Sequence, residues 1–449
     1  MKIFNIKFFI LSFIFAFQLL NYTPAVEDNS QNETKLVSLI SFDQVLKQAK
    51  EHSYDLKIAD FEILISKQGI RSARSEYFPK LGIGAGTEYT KNYRDTKDTQ
   101  VMAIGENFVN PYTRYQSILG INLSYNIFDF GVRGNSLKMA KEDVLLKELE
   151  EKEKLQDLNL NLVDTYAKLL VTSRQIEINN QILALQQKNL EYKTRLFKAK
   201  EISKTEFNDA VVKVSVTQNK INELKSIFAE SLNWLSFYTG EQYNPESVTV
   251  AEIKKNNFDV SAFNDYTQSI TWQIHEKQIK KKEFELRATK KANYPKVTGY
   301  TRYYMYGTDP ISYNDSFRDF GPSNFTVGGS INMPVFDGFK NNSDVKRVSL
   351  ELQQLHVERD KAIAQLMTRL ATMRTNLMYL NEQIEENNKV IAELTAKEKS
   401  VHRLVSKKVA SPIEENETKV ELLEQKIELE KNQITAIAIT KGIEFLTEN

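Results

Sequence analysis

Cysteine is absent from the 449 residues, which excludes a disulfide scaffold, thiolate metal sites, a cysteine nucleophile and a lipid-modified N-terminal cysteine. Breakers are scarce. The 16 Gly and 9 Pro are about 6% of the chain against roughly 12% in average usage, a shortage that favours long uninterrupted helices. Neither sign of charge dominates, with 60 basic and 59 acidic residues and a formal net charge of +1. Nothing global therefore draws the chain to nucleic acid, and no nucleic-acid partner is expected. Charged residues at 27% and a mean hydropathy of -0.45 exclude a polytopic helical membrane protein. The four His, at 52, 275, 356 and 402, have no metal-ligand spacing. Gly82-Ile-Gly84-Ala-Gly86 lacks the fingerprint of a phosphate loop, and no nucleophile elbow, zinc-protease helix or Walker pattern is present. The chain is expected not to be an enzyme and to need no cofactor or metal.

What is present begins with an apolar run. Lys2 and Lys7 precede an uncharged stretch from Phe8 to Leu20, and Pro24-Ala25 comes before acidic Glu27 and Asp28. This reads as a secretory signal peptide over residues 1-25, cleaved after Ala25. The alternative is an uncleaved anchor helix, for which Phe8 to Val26 is just long enough. Residues 26-40 then form a polar lead-in.

The remainder is written twice. Tyr77-Phe78-Pro79-Lys80 is answered by Asn293-Tyr294-Pro295-Lys296, Phe128-Asp129 by Phe336-Asp337, and Arg195-Leu196 by Arg403-Leu404. Two units of about 200 residues follow, 41-240 and 261-449, joined by a 241-260 linker. Each opens on a seven-residue apolar repeat, Phe42, Ala49, Leu56, Ile63 and Ile70 in the first and Phe258, Asp265, Trp272, Ile279 and Leu286 in the second. A cleaner heptad run follows from Leu155 to Phe197, repeated from Ile363 to Val405. After a break the pattern resumes from Phe207 to Leu235 and again from Val420 to Ile443. Each unit thus contains a short helix, a very long helix of roughly 100 Å at ~1.5 Å per residue, a tight turn and a returning helix. Sustained heptads imply coiled-coil packing.

Between short and long helix the period changes to two. Leu119, Ile121, Leu123, Tyr125 and Ile127 alternate with small or polar residues, as do Phe325, Val327, Ile331, Met333 and Val335. With weaker runs before them, four strands are expected at about 79-91, 117-128, 295-306 and 324-336. Residues 77-134 and 294-339 hold 13 of the 16 Gly and 6 of the 9 Pro, so the shortage of breakers belongs to the helices alone. Alternating strands of this length with aromatics near their ends fit transmembrane β-strands, with Leu119, Ile121, Leu123, Tyr125, Phe325, Val327, Ile331 and Met333 toward lipid. A soluble hairpin sheet in a secreted coiled-coil scaffold or adaptor is the alternative. Four strands cannot close a barrel alone, since the smallest transmembrane barrels need about eight and lipid tolerates no open edge. The barrel is therefore expected to be shared between chains.

The duplicated order of helix, Tyr-Phe-Pro-Lys, strand, strand ending Phe128-Asp129-Phe130-Gly131, very long helix, turn and returning helix resembles the TolC-like outer-membrane efflux proteins. The resemblance spans the whole mature chain. It implies a mainly α fold with β, in which duplicated long helical hairpins form a periplasmic α-barrel beneath a transmembrane β-barrel of four strands per chain. It further implies a homotrimer with twelve strands in the outer membrane of a Gram-negative bacterium, extending into the periplasm. The implied role is the exit duct of a tripartite efflux pump or type I secretion system, passing substrates from a periplasmic membrane-fusion adaptor and an inner-membrane transporter to the exterior. The helical tips that dock on the adaptor match Lys200, Glu201, Ile202 and Ser203 and, in the second unit, Lys408, Val409, Ala410 and Ser411. Family members usually carry Gly at the turn, where Lys200 and Lys408 stand here. The periplasmic gate of carboxylates matches Glu414 and Glu417, with Glu206 and Asp209 at the corresponding first-unit positions. Read from the residues alone, those carboxylates equally suit a solvated, acidic helix start near the positive end of the helix dipole. The residues that lock the family's closed gate match Val405 and Ala410, so a lock would need other side chains.

Overall fold

In the computed structural model the described residues are 39–89, 103–104, 107–108, 115–254, 266–309 and 311–447, the side chain of Ser323 excepted. The expected signal peptide and most of the 26-40 segment lie outside them.

The first unit runs β1 (Leu39–Ile40), α1 (Phe42–His52), α2 (Tyr54–Ser75), β2 (Lys80–Tyr89), the short strands β3 (Ala103–Ile104) and β4 (Asn107–Phe108), then β5 (Tyr115–Phe128), α3 (Val132–Lys198) and α4 (Lys204–Thr239). After β6 (Thr249–Val250) and a 3-10 turn at Tyr266–Gln268, the second unit gives α5 (Ile270–Lys290), β7 (Lys296–Asp309), α6 (Tyr313–Arg318), β8 (Gly321–Asn332), α7 (Lys340–Ser406) and α8 (Pro412–Thr447). The two very long helices both have 67 residues and both returning helices 36. Mainly helical architecture with one principal sheet is what the periodicities imply.

Four details differ from the sequence reading. The first short helix is broken at Ser53, which leaves helical geometry (φ -46, ψ 122) and accepts the Leu56 amide on its hydroxyl (3.3 Å), so that α2 starts afresh. In the second unit the described helix begins only at Ile270, capped by Ser269 accepting the Trp272 amide (3.2 Å). Phe258 and Asp265 fall outside the described residues. The last strand stops at Asn332 because Pro334 has no N–H for a ladder, leaving Met333, Val335 and Phe336 beyond it. The segment read as a linker contributes β6, which pairs in parallel with β1.

The main core lies at this waist. Leu162, Val163, Tyr166 and Leu169 of α3 are at most 1% exposed and meet Phe42, Val45 and Ala49 of α1, Leu232 and Leu235 of α4, Val250 of β6, and Ile434 of α8. Each fully buried aliphatic side chain contributes about 1.5–3 kcal/mol. The Tyr166 ring meets Phe42 edge-on at 5.3 Å, and its hydroxyl sits 2.6 Å from the Ala251 carbonyl oxygen and 3.0 Å from that of Ile40. One buried phenol thus ties the β1–β6 pair to the long helix.

Helices and strands form two layers with one order. The sheet runs β2-β5-β7-β8, each pair antiparallel. Below it, α2 and α4 pack on one side of α3, α5 and α8 on the other, and α7 packs on α5 and α8. Each strand connects directly to a helix: β2 follows α2, β5 leads into α3, β7 follows α5 and β8 leads into α7. The descent from strand to long helix uses the same device twice. Phe130 and Gly131 are both left-handed (φ 57 and 87), as are Gly338 and Phe339 (φ 67 and 65). At the first, Asp129 accepts the amides of Gly131 and Arg133 (both 3.1 Å) and the Arg133 Nε (2.9 Å). Arg133 also donates to the Glu76 carbonyl (3.1 Å) and lies over the Tyr77 ring (4.8 Å), joining β5, α3 and the end of α2. At the second, Asp337 accepts the Asn341 amide (2.9 Å) and the Asn293 side-chain amide (3.0 Å).

Asp129 is buried and Arg133 partly so, at 6% and 11% side-chain exposure, so removing the carboxylate leaves the guanidinium without its counter-charge. Asp129→Ala is expected to destabilise the protein by about 3 kcal/mol, read as thermal unfolding in detergent. Asp337→Ala, at a more open turn, is expected to shift the midpoint less.

Candidate functional site

The two faces of the four-stranded sheet differ in chemistry. The register pairs Leu81 with Leu123, Ile83 with Ile121, Ile121 with Tyr303 and Tyr303 with Phe325. All these share one face with Leu119, Tyr125, Val327 and Ile331, as alternation requires. This face is not a core: Leu81, Val327 and Ile331 are 69%, 68% and 74% exposed. Seven of the eight side chains assigned to lipid from the sequence come together here, and the eighth, Met333, lies one residue past β8. The opposite face carries Asn122, Ser124, Arg302 and Thr326. There Tyr304 lies over Gly120 and Tyr300 over Gly328, where a Cβ would come within 2.6 and 2.7 Å of the ring. Arg302 stacks 4.4 Å from the Tyr300 ring.

Aromatic clusters bound the apolar face at both ends. Tyr89 and Tyr115 are 4.9 Å apart at the end away from the helices, with Tyr313 of α6 a further 4.7 Å on. At the helical end Phe128, Phe130 and Tyr294 form a second cluster, at 4.8 and 5.4 Å. The strand between Tyr115 and Phe128 spans about 43 Å at ~3.3 Å per residue, or roughly 30 Å of height at a ~45° tilt, the thickness of a bilayer hydrocarbon core. Among the described residues no helix is long and apolar enough to cross a membrane.

At the far end of the helical layer, both turns use one backbone solution. In the first, the Lys200 amide bonds the Phe197 carbonyl (3.0 Å) and Glu201 the Leu196 carbonyl (2.9 Å); in the second, Lys408 bonds Val405 and Val409 bonds Leu404, both at 2.9 Å. This is the Schellman arrangement, and its left-handed residue is Lys in both copies, at φ 63 and 58. The departure from Gly therefore keeps the turn and strains its residue. Each returning helix then starts on a serine: Ser203 accepts the Glu206 amide (3.2 Å) while the Glu206 carboxylate takes the Ser203 amide (2.9 Å), and Ser411 accepts the Glu414 amide (3.1 Å). Glu201, Val409 and the lysines are exposed, with Ile202 and Ala410 half-buried.

The four carboxylates read as a gate are all exposed, Glu206 and Glu414 on the first turns of α4 and α8 and Asp209 and Glu417 on the second. Glu414 and Glu417 are one turn apart on α8, as are Glu206 and Asp209 on α4. Their surroundings differ. Glu206 is occupied in its capping box, and Glu417 lies 3.7 Å from Lys213 of α4. A groove of about 500 Å³ runs between α3, α4 and α8 here, lined by Asn189, Lys193, Lys213, Glu417, Glu421 and Glu424 among others. Sequence reasoning missed Lys213 and the Asn416 side chain donating to Asn189 across α8 and α3 (2.8 Å). It also missed Glu415, which takes Lys419 at 2.6 Å and His402 at 3.0 Å. The Lys419 ammonium, helped by His402, holds the Glu415 carboxyl below the usual range. Its contribution to the tip is therefore present at neutral pH and lost as pH falls through that lowered value. No spacing signals these contacts, because single polar residues on Lys/Glu-rich helices carry no period.

A family model described as outer membrane efflux protein matches residues 45–241. No curated protein matches the sequence. Among solved structures, the outer membrane protein VceC from Vibrio cholerae has a TM-score of 0.73 at 15% identity, covering 91% of this chain and 96% of that one. CusC, whose structures concern folding and transmembrane channel formation, scores 0.73 at 14% identity over 94% and 96%. The Campylobacter jejuni CmeC outer membrane channel scores 0.73 at 14% over 91% and 86%. The resemblance to TolC-like outer-membrane efflux proteins thus holds over the first unit in sequence and over nine-tenths of the chain in fold.

Left-handed geometry costs a non-glycine residue about 1–2 kcal/mol. Lys200→Gly and Lys408→Gly are accordingly each expected to stabilise their turn by about 1 kcal/mol, slowing hydrogen exchange of the tip amides about fivefold; faster exchange would contradict the assignment of strain.

Proposed function

We propose that the chain is one third of an outer-membrane efflux channel: a homotrimer whose sheets close into a twelve-stranded transmembrane barrel above a helical tunnel through the periplasm. The observation that carries this is that both layers of the single chain are open at matching edges. β2 and β8 are the outer strands of the sheet and run antiparallel to each other, so the β8 edge of one copy suits the β2 edge of the next. Unpaired, their backbone groups would cost several kcal/mol each in lipid.

The helical layer has the same requirement. α3 and α7 are equal in length, yet α3 has 17 buried residues and α7 only Val348, Leu370 and Val401. Opposite α7, at the other edge, Phe61 and Ile65 of α2 are 64% and 69% exposed. Such a head-to-tail contact generates a closed ring when the rotation closes. The polar sheet face then lines the lumen and the apolar face meets lipid. The secreted scaffold or adaptor without a pore has no use for an apolar sheet face of bilayer height.

The chain passively conducts substrates to the exterior and performs no catalysis. Its tips, Lys200 to Ser203 and Lys408 to Ser411, dock on a periplasmic membrane-fusion adaptor served by an inner-membrane transporter, in drug efflux or type I secretion. In the trimer, three copies of Glu414 and Glu417, with Asp209 nearby on α4, make a cation-attracting constriction at the tunnel mouth. Glu206, held in its cap, contributes least.

Two measurements test this reading. The mature protein is expected in the outer-membrane fraction, and recovery in the soluble periplasm would overturn the channel. In planar bilayers, replacing Glu414 and Glu417 with Ala is expected to reduce cation selectivity; unchanged selectivity would remove the gate while leaving the duct.

A further inference from the structure

The β7–β8 connection contains α6, and its seat is built into the sheet. Ser117 of β5 and Ser316 of α6 are both 0% exposed and their hydroxyls hydrogen-bond at 2.7 Å. Gly307, the register partner of Ser117, makes room for the helix, since a Cβ there would lie 2.0 Å from the Ser316 carbonyl oxygen. The helix start is fixed as well: Asp309 accepts the Ser312 amide (2.8 Å), and Ser312 accepts the Asp315 amide (3.1 Å). The side on which α6 is seated is decided by register. Ser117 shares its face with Leu119, Ile121, Leu123 and Tyr125, so α6 lies on the apolar wall of the sheet, at the end away from the helical layer.

We infer that α6 is an interfacial helix, docked on the outside of the barrel and buried at the headgroup level of the outer leaflet of the membrane. The inference rests on the reading of the apolar face as the lipid face. Three observations select a lipid interface as the occupant. The Tyr89–Tyr115 pair passes without a gap into Tyr313, so α6 continues the aromatic boundary of the apolar band. Away from its seat it exposes Phe317 (56%) and, just ahead of it, Ile311 (77%). Its one exposed cation, Arg318, is paired with Asp315 at 3.2 Å. Aromatic rings with paired polar groups beside them are the composition enriched at membrane–water boundaries. The hydroxyl pair beneath is mutually satisfied, so covering it with lipid leaves no orphaned donor. A second copy of the chain is not the natural occupant, because α6 sits over β5 and β7, the inner strands, away from both open edges.

The test uses the full chain reconstituted in phosphatidylcholine vesicles containing lipids brominated either near the headgroup or deep in the acyl chain. Phe317→Trp reports on α6 and Ile121→Trp on the middle of the apolar face, against a wild-type baseline set by Trp234 and Trp272 in the helical layer. The Phe317→Trp signal is expected to lose about half its emission to shallow bromine, as befits an interfacial ring, and little to iodide equilibrated on both sides. Ile121→Trp is expected to be quenched by deep bromine. Quenching of Ile121→Trp by bromine with Phe317→Trp quenched only by iodide overturns the interfacial helix and leaves the barrel standing. Equal depth for both positions also overturns it, and failure of bromine to quench either removes the lipid face itself.

Discussion

Each principal strand of the sheet is continuous with a helix of the layer beneath it, and this constraint governs the rest of the molecule. Because β2, β5, β7 and β8 connect directly to α2, α3, α5 and α7, the strand order and the helix order cannot differ. Both layers therefore inherit the same two free edges, and a neighbour that satisfies one must satisfy the other. The Asp129 and Asp337 turns enforce the continuity. Each spends two left-handed residues and several backbone hydrogen bonds on redirecting the chain from a strand into a helix, over residues 129–131 in the first unit and 333–339 in the second.

Edge satisfaction also explains why apolar surface is distributed so unevenly. A waist of α1, α3, α4, α8 and the β1–β6 pair is packed as a true core around Tyr166, and it is the part of the protein a single chain can complete. Away from it the heptad positions of α7 other than Leu370 are only half-buried, and α2 exposes Phe61 and Ile65 beside its heptad stripe. The sheet shows the same division: one face apolar and covered only at its end by α6, the other polar with tyrosine rings packed over glycine. Rings held against the wall in this way cover backbone without standing into the space the sheet would enclose.

Much of this was legible in the sequence because periodicity and breakers are strong signals. The heptads from Leu155 to Phe197 and Ile363 to Val405 mark the C-terminal two-thirds of the long helices and end within one residue of them, at Lys198 and Ser406. The alternation at Leu119 to Ile127 gave the apolar face. What was not legible depends on single residues acting through tertiary contacts. Ser53 breaks a helix whose heptad of Phe42, Ala49, Leu56 and Ile63 continues across the break. The two-residue strands β1 and β6 are too short to show a period. Helix α6 is hidden in a connection of mixed composition and is revealed only by its seat at Ser117 and Gly307. At the tips, Lys200 and Lys408 gave no sign of left-handed geometry, because the turn there is imposed by hydrogen bonds from neighbouring amides rather than by the preference of the residue. The carboxylates proposed as a gate are separable only by context: the sequence spacing treats Glu206 and Glu414 alike, whereas the capping box occupies the first.

As proposed above, one chain is an open third of a closed ring. Electron microscopy of the detergent-purified full chain tests it most directly. The expected result is a threefold particle with a hollow stem of roughly 100 Å, set by the ~1.5 Å rise of the two 67-residue helices. A monodisperse single-chain particle, or an assembly without a central channel, would contradict it.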